Sequence, residues 1–476
     1  MKQAAPVTIL AVDLGTQSLR VSAVAADGAT LWRWSRPVNS AIDGRRYEQD
    51  PAEWLALLDE ALAEAGRAGV KPDAVAAAGP LAGWVPMAAG RPLGAAVMYF
   101  DTRAAVDVAR IGELLDKRPE APRPTVADPL PQLLRLGRER PDLAVAMDRL
   151  LDATGVLVHQ LCGASVLDPY TALRLYDAEI TRPLGTDPAI FGRPAALGER
   201  VGVLAPRYAG LFGGGAIPVV AATFDSKCAY VASGIAEPGE ALDISGTVTS
   251  FGVASERPVR DPSRRVYSVP LGDGWLVRGS MGGTGSVLEW ARAELLGQDF
   301  AAIEADIAAA PPGAGGVTFL PFHSGARAPL WNPHARGALL GLGLDTDRSV
   351  MARAVYEGLC FGLRHIADTM AESGVAPRDI RLAGGLARSD LLCRMKADIL
   401  GCPVLRLADH ELTTAGLAVI AAVTLGVYPD RRAASRAIVH VADRFAPAPA
   451  RARYEEPYRR YRAAVAALSP TFAPPA

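Results

Sequence analysis

Residues 9–28, ILAVDLGTQSLRVSAVAADG, read as an apolar strand ending near Asp13, a tight Gly15-Thr16 turn and a second strand-like run to Asp27-Gly28. Residues 239–255, GEALDISGTVTSFGVAS, repeat that form, with Asp243 ahead of a Gly246-Thr247 pair between two strand-like runs. A chain that carries one strand-turn-strand unit twice is constrained to build two related halves. Its length allows this: 476 residues, half of them apolar, exceed the roughly 250–300 residues at which single cores stop growing.

The first hairpin leads into a helical pattern from Asp50, DPAEWLALLDEALAEAGRAG, with Pro51 at its first position and apolar residues at helical spacing. A strand-like segment at 73–79 follows, then expected helices at 103–117 and 149–163. Strands alternating with helices predict an α/β fold with a partly parallel sheet. Near 236 the pattern restarts after IAEPGE, so the expected domains are 1–236 and 237–476. The second contains helical patterns at 351–374 and 389–401, and the proline-rich tail PTFAPPA is expected to be disordered.

Fifty Lys plus Arg against 51 Asp plus Glu leave no basic face for nucleic acid, so the partners expected are small molecules. Five scattered cysteines without a CxxC pair fit reduced thiols better than a disulfide framework or a zinc site. The first residues show no signal-peptide core, and the longest apolar run, 415–427, is shorter than the ~20 residues of a membrane span. These features predict a soluble cytoplasmic protein.

A glycine at a hairpin tip lets backbone N–H groups approach a phosphate, a neighbouring threonine adds a hydroxyl donor, and a strand-end aspartate can hold Mg²⁺ through water. Either turn alone is an ordinary hairpin; two at the heads of two α/β halves point to a nucleotide clamp. No Walker P-loop and no GxGxxG occurs.

Three further stretches, GVTFLPFHSGARAPLWNPHARGALLGL at 316–342, AVYEGLCFGLRHI at 354–366 and LAGGLARSDLLCRMKADILGCPV at 382–404, resemble the FGGY family of carbohydrate kinases. That family belongs to the actin, hexokinase and Hsp70 ATPase superfamily, and the resemblance runs from VDLGTQS to TLGVYP. It implies two ribonuclease-H-like domains flanking a central cleft, with ATP and Mg²⁺ as cofactors and a sugar as substrate, and it allows a homodimer. By the same resemblance Asp13, Gly15, Thr16 and Gln17 match the first phosphate motif, and Gly246 and Thr247 the second. Gly384 and Gly385 match the adenosine loop, with Ser389 entering the next helix, and Asp13 and Asp225 are the expected Mg²⁺ carboxylates.

Asp225, after the apolar run IPVVAATF, matches the family's catalytic base; on spacing alone it serves equally well as a helix cap. Asp101, with Arg103 nearby, matches a sugar-side aspartate and on spacing alone also reads as a cap, while Trp84 offers either an apolar wall to the sugar or a core side chain. Lys227 reads as a surface lysine, and His323 and His334 as packed or solvated histidines. The chain departs from xylulokinase-like relatives at Pro80-Leu81-Ala82-Gly83, where Gln-Met-His-Gly is common, and reads Ser245-Gly246-Thr247 where LGT is usual. The expected activity is phosphorylation of a ketopentose such as D-xylulose or D-ribulose, with other sugars, aldonates or polyols as alternatives. Two other classes stand beside it: an ATPase driving a partner, which would need an appended domain, and a silent nucleotide or sugar binder, which would not need Asp225.

Overall fold

The repeated hairpins occupy equivalent places in two sheets. In the computed structural model, which describes residues 7–115, 124–172, 181–271, 274–408 and 411–472, strand Thr8–Leu14 pairs antiparallel with Ser18–Ala25 and parallel with Ala74–Ala78. Strand Glu240–Ser245 does the same with Thr249–Ser255 and Asp379–Ala383. Thr8–Leu14 is buried along its whole length, as a central strand covered on both faces should be, and its near-continuous apolar sequence follows from that. The first sheet continues outward through Pro218–Val220 and Arg200–Val203 on one side and Thr30–Pro37 on the other. The second runs from Tyr267–Leu271 to Val441–Phe445 through seven strands.

The helix after the first hairpin spans Pro51–Arg67. Asp50 caps it, accepting the Ala52 N–H at 2.9 Å, and Trp54, Leu58, Ala61, Leu62 and Ala65 form its buried stripe. The pattern at 149–163 resolves differently from the single helix expected. Arg149–Leu151 is a strand paired with Val85–Met87, Asp152 caps the next turn through the Gly155 N–H at 2.6 Å, and the helix is Ala153–Cys162. The helix expected at 103–117 is Ala105–Leu115, its last two positions lying outside the described residues. Of the tail, Ser469–Thr471 forms a 3-10 turn and the Phe472 ring packs edge-on to Phe322 at 6.4 Å, so order extends further than expected; residues 473–476 lie outside the described part.

The chain divides into two units, Met1–Gly234 with Glu411–Val439, and Ile235–His410 with His440–Ala476. The first crossing falls within two residues of the expected boundary. The return of Glu411–Val439 to the first unit departs from the 1–236 and 237–476 division, and its cause is packing. Helix Leu412–Thr424 is almost wholly apolar and lies against helix Asp225–Ser233 and strand Thr8–Leu14. The approach is close enough that a side-chain carbon on Gly416 would stand 2.1 Å from the Cys228 carbonyl oxygen. Three hydroxyls secure the segment: Thr424 donates to Gly198 O, Tyr428 to Ala26 O and Ser435 to Val231 O, at 2.7–2.8 Å.

Candidate active site

In the first unit the Gly15 N–H closes the hairpin onto Ser18 O at 2.8 Å. The Thr16 carbonyl accepts from Gln49 Nε2 at 2.8 Å, and Gln49 Oε1 in turn accepts from the Trp54 indole at 3.0 Å. Buried Gln49 thereby fixes the turn from behind, and the Thr16 hydroxyl has no hydrogen-bond partner among the described residues. Gln17 lies exposed at the tip.

Asp13 is 3% exposed and faces Arg20 across the hairpin, with Nη1 3.1 Å from its carboxylate. Burial pushes its carboxyl up to about 7; Arg20 opposes this, and the nearby charges of Asp225 and Glu411 add to it. The site thus gathers more negative charge than Arg20 balances, in hard oxygen donors of the kind that suits Mg²⁺. Among the described residues no three carboxylate, histidine or cysteine side chains form a closed metal cage. Mg²⁺ needs none, since it is held by one or two carboxylates together with water and substrate phosphates. Asp13 and Asp225 fit that role.

Asp225 sits at the first position of helix Asp225–Ser233, and Phe224 occupies the N-cap with no side-chain cap bond. Asp225 is therefore not the capping residue. The strand before it is only Pro218–Val220, shorter than the apolar run suggested, and residues 221–224 carry the chain to the helix. The Asp225 N–H donates to Gly79 O at 2.8 Å, its carboxylate accepts the Ser226 N–H at 2.5 Å, and its carbonyl accepts from the Thr413 hydroxyl at 3.5 Å. This places it beyond the carboxyl ends of the parallel strands, where open α/β sheets bind ligands.

Asp101 is buried within its own network. It accepts from the Tyr47 N–H at 2.9 Å and from the Arg103 N–H and Nε at 3.0 Å, and Arg103 Nη2 also reaches Glu48 at 2.5 Å. Burial pushes the Asp101 carboxyl up, but the Arg103 and Tyr47 hydrogen bonds outweigh it and hold the group below its usual range. Its Oδ1 serves the N–H two residues on, and the next helix begins only at Ala105. Trp84 is a core side chain, 1% exposed, its indole donating to Ala127 O at 2.8 Å and standing edge-on to Phe191. Lys227, expected at the surface, is 8% exposed, with Nζ 5.5 Å from the Tyr170 ring centroid, because the helix that Asp225 begins is buried along nearly its whole length.

In the second unit Gly246 N–H closes its turn onto Val248 O at 3.0 Å, and the Thr284 and Gly285 N–H groups hold the carbonyls of Thr247 and Gly246 at 3.0 and 2.9 Å. Thr247 is exposed, and its hydroxyl has no hydrogen-bond partner among the described residues. Gly384 has φ +91°, and a side-chain carbon there would lie 2.4 Å from Ser245 O, so the Gly384-Gly385 loop presses against the base of the Gly246-Thr247 turn. Ser389 spends its hydroxyl capping helix Asp390–Leu400, accepting the Leu392 N–H at 3.0 Å. Asp243 is not the counterpart of Asp13. It lies three residues before the turn glycine, where Asp13 lies two, and one step along a strand reverses the face. Its carboxylate meets Lys396 Nζ at 2.5 Å. His323 packs on Trp290 at 4.2 Å and His334 is exposed.

Residues 242–425 match the model of the FGGY family of carbohydrate kinases, C-terminal domain. A glycerol kinase of Bordetella parapertussis is 30% identical over 379 residues, 72% of each chain. The chain belongs to the FGGY family of carbohydrate kinases. Among solved structures, a xylulose kinase from Rhodospirillum rubrum is 26% identical over 98% of this chain and 99% of its own, with a TM-score of 0.89. A ligand-bound xylulose kinase from Lactobacillus acidophilus reaches 0.90 over the same shares at 19% identity, a likeness of fold. The α/β fold with two actin-like ATPase units is therefore the family's, and the protein is an ATP-dependent sugar phosphotransferase that uses Mg²⁺. Among the described residues no helix is long and apolar enough to cross a membrane.

Proposed function

We propose that this kinase phosphorylates a ketopentose, D-xylulose or D-ribulose, at its terminal hydroxyl, with Asp225 as the general base. Asp225 carries the reading: it is a partly exposed carboxylate beyond the parallel strands, electrostatically coupled to buried Asp13. Phosphoryl transfer asks the protein for positioning, charge neutralisation and a base for the attacking hydroxyl. Asp225 takes the hydroxyl proton. Asp13 with Asp225 holds Mg²⁺, which supplies neutralisation of the phosphate charge. Thr16 and Thr247 offer their hydroxyls, and the turn glycines their backbone, to the phosphates. Gly384 and Gly385 admit the adenosine, and Asp101 with Arg103 stiffens the sugar side.

The likeness to the Rhodospirillum rubrum xylulose kinase supports the ketopentose. Glycerol is the second reading, favoured by the glycerol kinase relative at 30% identity. Pro80 and Ala82, where Gln and His are common in xylulokinase-like relatives, leave fewer hydrogen bonds for a sugar on that edge.

The test is ADP release across ketopentoses, glycerol, other polyols and aldonates, repeated with Asp225→Asn. Turnover should be greatest on a pentulose. Asp225→Asn should lower kcat and kcat/KM together by roughly 10²–10⁴-fold with the melting temperature kept. Greatest turnover on glycerol or gluconate with none on any pentulose refutes the substrate, and near-normal turnover by Asp225→Asn refutes the base.

A further inference from the structure

Behind the exposed Gly246-Thr247 turn lies a chain of buried polar side chains that includes an ion pair. Lys396 and Asp243 are 4% and 0% exposed, and Lys396 Nζ reaches Asp243 Oδ2 at 2.5 Å and Ser245 Oγ at 2.6 Å. Ser245 Oγ donates to Asp243 Oδ1 at 2.7 Å and lies 3.2 Å from Thr249 Oγ1, which is 2.8 Å from Thr284 Oγ1. Thr284 then returns to the turn through its N–H on Thr247 O. The line of contacts starts on helix Asp390–Leu400, which opens just after the Gly384-Gly385 loop, and ends on both flanks of the phosphate turn. Ser245 is the junction, because its side chain joins the ion pair and its carbonyl backs onto Gly384.

We infer that Lys396 and Asp243 are positioning residues that, through Ser245, Thr249 and Thr284, hold the phosphate turn and the adenosine loop in one fixed spacing. The inference rests on the reading of Gly246-Thr247 and Gly384-Gly385 as nucleotide contacts. A buried pair is a poor source of stability, since apolar residues of similar volume often serve as well. What an apolar pair cannot do is hold the Ser245 hydroxyl, and with it the turn, in one orientation. Neither Lys396 nor Asp243 is exposed enough to touch substrate, so they act on the nucleotide only through the residues between.

The experiment compares wild type, the double variant Asp243→Val with Lys396→Met, and Ser245→Ala. The readouts are melting temperature, KM for ATP and for the best sugar separately, and affinity for Mg²⁺-ADP by calorimetry, which needs no turnover. The double variant is expected to stay folded and keep its sugar KM within about two-fold, while ADP affinity falls and ATP KM rises roughly 10-fold or more, as small misplacements of binding groups do. Ser245→Ala should move the same two quantities in the same direction by less. Nucleotide constants unchanged in a folded double variant overturn the inference, as does an equal rise in both KM values. If the double variant does not fold, Ser245→Ala decides: unchanged ADP affinity overturns the inference. Failure of the underlying reading looks different: folded Gly384→Ala would then bind Mg²⁺-ADP as tightly as wild type, and the inference would fall with it.

Discussion

Replacing Asp13 by Asn should make the nucleotide-free protein more stable at pH 8 while abolishing turnover. In the folded state the Asp13 carboxyl is lifted to about 7, chiefly by burial and further by Asp225 and Glu411, against an ordinary value of ~3.9 once the chain unfolds. Because the folded value is the higher one, the folded state holds a proton between about pH 4 and 7 that the unfolded chain has released. Stability from this group is therefore full below about 4, falls as pH rises to about 7, and stays low above it. At ~1.4 kcal/mol per pH unit the whole loss is of order 4 kcal/mol, with Arg20 already counted as an opposing influence. Asn carries no charge to desolvate, so the variant should recover about 2–4 kcal/mol at pH 8, or roughly 5–10 °C in the melting of a unit this large. The assay is thermal unfolding of both proteins without nucleotide or Mg²⁺ from pH 5 to 8, read as the difference between the two curves. Asp152, also raised to about 7 by burial and Asp168, contributes the same trend to both proteins and cancels. Parallel curves, or a variant less stable than wild type at pH 8, would refute the argument.

Gly384→Ala should raise the ATP KM and lower the melting temperature while leaving the sugar KM alone, because φ +91° strains any side chain and the new carbon would collide with Ser245 O; unchanged nucleotide kinetics would show that the loop does not meet ATP. Trp84→Phe should cost about 1 kcal/mol, chiefly from leaving Ala127 O without its donor, and keep the sugar KM within two-fold; a large rise in sugar KM with little change in melting would place Trp84 at the substrate after all.

The parts of this molecule legible in its sequence are those that local chemistry decides. Asp50-Pro51 followed by apolar residues at helical spacing specifies a helix start whatever surrounds it. The two Gly-Thr turns between apolar runs likewise become hairpins in both units. Contacts between distant segments were not legible. Nothing in residues 411–439 shows that they belong beside a helix beginning at Asp225, and Gly416, whose missing side chain permits that packing, looks like any glycine in an apolar run. Gln49, Glu48, Glu411 and Arg20 escaped notice because their roles depend on which strand or helix they face. Lys396 is one charge in an otherwise ordinary helix pattern. Its partner carried one readable signal: counting back from the turn glycine gives Asp243 the opposite strand face from Asp13.

The membership of Glu411–Val439 in the first unit also fixes an order of events during synthesis. The strand at Thr8–Leu14 and the helix at Asp225–Ser233 leave the ribosome long before the helix that covers them, Leu412–Thr424, has been made. Until then a face built to receive Gly416 against the Cys228 carbonyl stands open to water and to other nascent chains. A fragment ending at the sequence-level boundary near 236 would keep that face open permanently. Such a fragment is expected to aggregate, and fusing residues 411–439 to it should restore solubility. A gene for this kinase cut at its midpoint is therefore expected not to give two independently folding pieces, even though its sequence reads as one theme stated twice.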